Sequence, residues 1–116
     1  MTRFIGITRE PVFSPSRVED DRAIVDAVAM QLRQRGHAVT LCDADDAGWP
    51  EPMEGTVVFA MCQGDAALRR LQEWEVHGVR IVNTPRGIFN CQRHRTVAAF
   101  AHADVPFPET QLVDTT

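Results

Sequence analysis

Short apolar segments of strand type alternate along this chain with longer segments in which apolar residues recur at helical spacing. Residues 56–61 (TVVFAM) are apolar without alternation, which is typical of a central strand covered on both faces. Further strands are predicted at residues 3–8, 38–42 and 79–82, and helices at residues 18–35, 65–77 and 91–103. This order predicts an α/β fold with a mostly parallel four-stranded sheet, helices on both faces and strand order 2-1-3-4.

Local signals at the element ends support this assignment. Ser16 and Glu19 have the spacing of a capping box at the start of the first helix. Asp65 and Asn90 are predicted to cap the second and third helices. Gly6, inside the first strand, predicts the close approach of another backbone.

Length, composition and charge limit the classes of protein to consider. With 116 residues, of which 44% are hydrophobic, the chain can build one globular core of ordinary size. All twelve basic residues are Arg, yet the net charge is -4, so we expect no nucleic-acid partner. The start of the chain lacks the apolar core of a signal peptide, and its longest apolar run cannot span a bilayer. We therefore expect a cytoplasmic protein without a membrane partner.

The three cysteines, Cys42, Cys62 and Cys91, are odd in number and widely spaced, which favours a reducing compartment over a disulfide framework. All three are predicted to be small, mostly buried residues at element ends. Cys91 and His94 have a metal-ligand spacing, but no second pair accompanies them, so no metal site is predicted. Cys62 ends a strand, where its thiol could either face a ligand or fill the core.

The predicted topology locates a candidate site by itself. In open parallel sheets, ligands bind outside the carboxyl ends of the strands, where the strand order reverses and helix amino termini present free N–H groups. The residues directly after the first, third and fourth strands are therefore the candidates for substrate binding. They are Thr8, Arg9 and Glu10, then Cys62, Gln63 and Gly64, and then Asn83, Thr84 and Pro85.

The connection at residues 8–17 is longer than is usual between a strand and a helix. Arg9 and Arg17 lie near its two ends, so two guanidinium groups could meet a carboxylate or phosphate. The alternative is a solvated surface loop in which these arginines pair with neighbouring acidic residues. The sequence leaves both interpretations open.

Several well-known site types have no support here. The chain lacks the Gly-x-Gly-x-x-Gly pattern and the P-loop, so direct binding of a dinucleotide or a nucleoside triphosphate has no motif behind it. A phosphorylatable receiver domain would need acidic residues after the first strand and an Asp at the end of the third, where Thr8-Arg9 and Met61-Cys62 stand. No Ser, His, Asp arrangement or paired-carboxylate spacing exceeds chance.

Residues 79–113 contain a distinctive succession of segments. A strand ends in the turn Asn83-Thr84-Pro85, a helical stretch follows, and residues 104–110 read DVPFPET. This succession resembles the segment by which ATP-grasp ligases pass from their amino-terminal domain into their ATP-binding half. The resemblance implies a three-layer, Rossmann-like preATP-grasp domain at residues 1–103. Residues 104–116 would then be a linker to an ATP-grasp domain that this chain lacks.

In that family an Asp-Lys pair lies on the helical stretch, and its Lys contacts ATP phosphate. The family's spacing back from Pro106 places this Lys at position 93, where the chain has Gln92-Arg93 instead of Asp-Lys. The resemblance thus implies Arg93 as a phosphate contact, with the cation kept and the acid lost. His94 and Arg95 are alternative cations, and an exposed helix face is the alternative to any contact.

The resemblance also implies a function, an ATP-dependent ligase that joins a carboxylate to an amine or thiol through an acyl phosphate. In such enzymes this domain helps bind the small carboxylate or amine substrate, while ATP and Mg²⁺ are held by the later domain. We therefore expect the 116-residue chain to be inactive alone, without cofactors, and to need the ATP-grasp domain as its partner. The competing hypothesis is a stand-alone small-ligand-binding or interaction domain, which a reading frame ending at Thr116 would favour. The sequence leaves a homodimer open.

Overall fold

A computed structural model describes residues 1–13, 16–106 and 108, and only the backbone of Arg93 and His94. The elements are β1 (Arg3–Ile7), α1 (Val18–Gln34), β2 (Ala38–Cys42), β3 (Val57–Ala60), α2 (Asp65–Val76), β4 (Arg80–Val82), α3 (Pro85–Asn90) and α4 (Arg93–His102). Pro11–Phe13 forms a 3₁₀ turn between β1 and α1. Four strands pair in parallel in the order β2-β1-β3-β4, which confirms the predicted α/β class and strand order.

One face of the sheet carries the main core. Ile5 of β1 pairs in register with Val58 of β3, which pairs in turn with Ile81 of β4. Paired residues of parallel strands share a face, so these three side chains form one apolar row. The buried side chains of α2 pack against this face, and they are Ala67, Leu68 and Leu71.

The first helix buries less of its apolar surface than its sequence predicts. Helix α1 packs against β2 and buries Val25 and Ala29. Ile24 and Val28, which are among the apolar residues at helical spacing in the predicted helix 18–35, are 54% and 41% exposed. Among the described residues, only part of the apolar face of α1 is therefore covered by the rest of the domain.

Three predicted helix caps are wrong. Ser16 has a positive φ of 64°, and Arg17 is the N-cap of α1 without a side-chain hydrogen bond to the helix, so the capping box does not form. Asp65 is the first residue of α2, and Gly64 precedes it as the N-cap. The predicted third helix begins at Arg93 rather than Cys91, with Gln92 and not Asn90 as its N-cap.

The connection between β2 and β3 is held against α2 by a tryptophan. Trp49 is only 8% exposed, and its indole N–H donates to the carbonyl of Asp43 over 2.9 Å. Its ring lies 5.4 Å from that of Trp74, and the guanidinium of Arg70 lies 3.6 Å from its centroid. Arg70 also donates to the carbonyls of Asp46 and Ala47. The connection between β2 and β3 therefore contributes to the core.

Gly6 is required by side chains rather than by another backbone. A Cβ added at this position would lie 2.6 Å from Cε2 of Phe59 and 2.7 Å from Cδ2 of Leu41. Both residues are in register with Gly6 on the neighbouring strands. The absent side chain lets these two larger ones meet over β1.

Within the residues that the structure describes, no helix has the length and apolar character needed to cross a membrane. The predicted linker at residues 104–116 lies largely outside those residues.

Candidate functional site

The carboxylate of Glu10 connects the loop after β1 to the amino terminus of α2. Its two oxygens accept hydrogen bonds from the backbone N–H groups of Gln63 and Gly64, at 2.8 and 2.6 Å. Glu10 is only 4% exposed. Because free N–H groups at a helix amino terminus favour a negative charge, Glu10 supplies from within the chain the anion that this position attracts. Glu10, Gln63 and Gly64 are brought together as predicted, and a role for them in substrate binding stays a prediction.

A cleft opens beside this contact, between the carboxyl ends of β1 and β2 and the start of α1. Its volume is about 340 Å³. The hydroxyl of Thr8 donates to Oδ1 of Asp43 over 3.1 Å, which joins the two strand ends across the floor of the site. The cleft is lined by Thr8, Arg9, Pro11, Val18, Asp21, Arg22, Asp43, Ala44 and Asp45.

Arg9 lines the cleft with a side chain whose Nε–H donor is not satisfied by the described residues. Its side chain is half-buried, and its Nε is fully buried without a hydrogen-bond partner among the described residues. A buried donor without an acceptor costs about 1–3 kcal/mol. The neighbours on both sides are fixed, since Thr8 binds Asp43 and Glu10 binds the amino terminus of α2. Arg9 therefore lines the cleft with a side chain whose Nε–H has no acceptor among the described residues.

Asp43 and Arg22 complete one side of the cleft. The guanidinium of Arg22 lies 3.3 Å from Oδ1 of Asp43 and 3.3 Å from Oδ1 of Asp26. Neither Asp43 nor Arg22 was among the predicted site residues. Asp43 follows β2 directly, so the rule that placed the candidates after the other strands could have found it.

Cys62 is fully buried in the main core. Burial, and then the nearby carboxylate of Glu10, raise the pKa of this thiol to about 12. The thiol is therefore protonated at neutral pH and packs as an apolar side chain, which is the second of the two interpretations given above. Cys91 is exposed, so the prediction that all three cysteines are mostly buried is wrong for this residue.

The residues after β4 make bonds within the fold. The side-chain amide of Asn83 donates to the carbonyl of Ala60 over 3.2 Å, which ties β4 to the end of β3. The hydroxyl of Thr84 accepts from the N–H of Gly87 over 3.1 Å and caps α3, whose first residue is Pro85. Both residues lie at the predicted edge, although neither lines the 340 Å³ cleft.

The start of α4 lies against the turn after β3. The side-chain amide of Gln92 lies 3.4 Å from both the carbonyl of Gln63 and Oδ1 of Asp65. Arg95 donates to Gln92 and stacks 4.8 Å from the ring of Phe89. Arg93 is the first residue of α4, and its side chain lies outside the described residues. Its predicted contact with phosphate stays a prediction.

Arg17 does not share the position of Arg9. It is exposed at the N-cap of α1, and it does not line the cleft. Arg9 and Arg17, near the two ends of the connection between β1 and α1, therefore lie in different environments. Of these two, only Arg9 lines the cleft.

A second and wider groove, of about 1060 Å³, lies at the opposite edge of the sheet. It opens between the connection that carries Trp49 and the carboxyl-terminal end of α2, beside the amino ends of β3 and β4. Open parallel sheets bind ligands at the other edge, where strands end and helices begin. The smaller cleft around Arg9 is therefore the candidate site.

No protein-family model, curated protein or solved structure matches this chain. Among the described residues, no group of three or more His, Cys, Asp or Glu side chains is placed to hold a metal ion. The candidate site consists of two arginines, Arg9 and Arg22, a hydroxyl and several carboxylates.

Proposed function

We propose that this chain is the substrate-binding, preATP-grasp domain of an ATP-dependent ligase that joins a carboxylate to an amine or thiol. The cleft beside Arg9 would receive the small carboxylate or amine substrate. The chemistry of such a ligase passes through an acyl phosphate, which needs a nucleotide and metal ions positioned around the reacting oxygen. This domain would supply one wall of the site and no reaction of its own.

The observation that carries the proposal is the Nε of Arg9, which has no hydrogen-bond partner among the described residues and belongs to a side chain lining a cleft at the carboxyl edge of the sheet. Guanidinium groups bind carboxylates through parallel N–H donors, and such charge-assisted bonds are stronger than neutral ones. A substrate carboxylate in the cleft would offer an acceptor to the guanidinium of Arg9. The same edge is where open parallel sheets bind their ligands.

The succession of segments at residues 79–113 supports the more specific part of the proposal. The strand, the capped turn at Thr84 and the helix that begins at Arg93 follow one another in the order that the family resemblance implies. In the proposed enzyme, Arg93 would contact ATP phosphate, and Mg²⁺ would be held by the later ATP-grasp domain. The described residues offer no metal cluster for this role.

Two broader expectations belong to the same proposal. Helices on both faces would give the three-layer arrangement, since right-handed crossovers from β1 to β2 and from β3 to β4 run in opposite directions along the sheet. A cytoplasmic location would fit an ATP-consuming ligase with free cysteines.

The experiment is a titration of the ¹⁵N-labelled 116-residue chain with butyrate, followed by amide chemical shifts. We expect the largest shifts at Thr8, Arg9 and Asp43, and their loss in Arg9→Gln. Arg17→Gln is the matched control, because it removes the same charge from the same connection outside the cleft. Shifts confined to the groove beside Trp49, or an unchanged response in Arg9→Gln, would contradict the proposal.

A second measurement tests whether this chain itself binds the nucleotide. Calorimetry with MgATP should show no tight binding to this chain, because most of the nucleotide site is assigned to another domain. A dissociation constant in the low micromolar range would overturn that division of roles.

A further inference from the structure

The cleft that holds Arg9 also carries negative charge. Asp43 and Asp45, from the connection that leaves β2, line the same cavity. Thr8 and Arg22 both donate to Oδ1 of Asp43, and Oδ2 accepts no hydrogen bond from the residues described. Asp45 is exposed and likewise has no hydrogen bond or ion pair within the described part of the chain. Asp21 lines the cleft as well, so a plain carboxylate bound to Arg9 would share the cavity with three acidic side chains, of which Asp43 is paired with Arg22.

We infer that the ligand of this cleft is an amino acid or a similar small zwitterion, an inference that rests on the proposed carboxylate site. Its carboxylate binds the guanidinium of Arg9, and its protonated amine faces Oδ2 of Asp43 and the carboxylate of Asp45. Each charge of the ligand then meets an opposite charge of the cleft. A ligand that carried the carboxylate alone would satisfy Arg9 and leave Asp45 without a counter-charge among the described residues, whereas Asp43 already has that of Arg22.

The size of the cleft agrees with a ligand of this class. Its volume of about 340 Å³ is at the lower end of the range for small-molecule sites, which is roughly 300–1,000 Å³. An amino acid with a short side chain fits this space, whereas a nucleotide needs more. Two surface ion pairs each contribute a factor of about 2–5 in affinity, so the amine should tighten binding about tenfold.

The test compares three matched probes on the same labelled chain, 2-aminobutyrate, butyrate and propylamine. We expect 2-aminobutyrate to bind about tenfold more tightly than butyrate, and propylamine to bind more weakly than either. Asp45→Asn should reduce the preference for 2-aminobutyrate over butyrate to about threefold. Glu51→Gln removes the same charge from the distant groove and is the control, with the preference unchanged.

The outcomes separate the inference from the function on which it rests. If butyrate and 2-aminobutyrate bind equally well and both are lost in Arg9→Gln, the carboxylate site stands and the inferred zwitterion is wrong. If neither binds, or if Arg9→Gln changes nothing, the carboxylate site is wrong as well. A preference that Asp45→Asn leaves intact would also overturn the assigned position of the amine.

Discussion

The carboxylate of Glu10 accepts a hydrogen bond from the backbone N–H of Gly64 over 2.6 Å, and so a residue of the first connection caps the second helix. The same carboxylate bonds to Gln63. An anion site predicted at the start of α2 is therefore filled by the chain itself. The position proposed for an external anion lies one residue away, at Arg9.

Glu10→Ala should destabilise the domain by about 2–4 kcal/mol, because two partly buried N–H groups lose their carboxylate acceptor. The free energy of unfolding from urea titrations is the measurement. Glu75→Ala, an exposed glutamate on the same helix, should change it by less than about 0.5 kcal/mol. Equal effects of the two substitutions would show that the Glu10 contact contributes little.

Gly6→Ala should cost about 1–3 kcal/mol, since the new methyl group would overlap the side chains of Phe59 and Leu41. Gly48→Ala is the matched control, because a Cβ there meets nothing closer than Asp46 at 3.4 Å. Phe59→Leu should raise the unfolding free energy of the Gly6→Ala variant, whereas the same substitution should not stabilise the wild type. Unfolding free energies of the four variants decide the matter, and a neutral Gly6→Ala would refute the steric explanation.

Trp49→Ala should destabilise the domain by about 3–5 kcal/mol, because it leaves a cavity beside Trp74 and frees Arg70. Trp49→Phe should cost less, since it keeps an aromatic ring and loses the bond to the carbonyl of Asp43. Circular dichroism is the appropriate probe, because the substitution removes a fluorophore. If both variants are as stable as the wild type, the connection between β2 and β3 does not belong to the core.

The stability of the domain should fall at alkaline pH through Cys62. Its pKa is raised from 9.0 to about 12 by burial and then by Glu10, so above pH 9 the unfolded thiol loses its proton while the folded thiol keeps it. The free energy of unfolding then decreases as pH rises toward 12, by at most about 1.4 kcal/mol per pH unit. Cys62→Ala should be less stable near neutral pH and should show a shallower alkaline decline. Parallel pH curves for the two proteins would contradict the assignment.

Periodicity and topology were enough to predict the α/β class, the parallel sheet and the order of its strands. These features depend on which segments are apolar throughout, as in β3, and on the handedness of crossovers. Helix caps were harder to predict, because a cap can come from a distant residue. Asp65 has the composition of a local cap, yet the acceptor at α2 is Glu10, which is far away in sequence.

The site was predictable to the level of an edge and not to the level of a cleft. Strand-end residues lie where the topology put them, but Asn83 and Thr84 make bonds within the fold, whereas Thr8 and Arg9 line the cavity. Whether a polar side chain meets its own backbone or a cavity depends on rotamers and packing, which a one-dimensional pattern does not contain. Trp49 was missed for the same reason, since one aromatic residue in a polar segment has no period.

The contact of Glu10 with α2 also couples two parts of the domain that are distant in sequence. The two partners are 54 residues apart, and the parallel pairing of β1 and β3 brings their positions together. An isolated segment with the sequence of α2 would lack the acceptor that Glu10 gives to the N–H groups at its start. The amino terminus of α2 therefore depends on tertiary structure, and its stability should fall when the sheet is weakened.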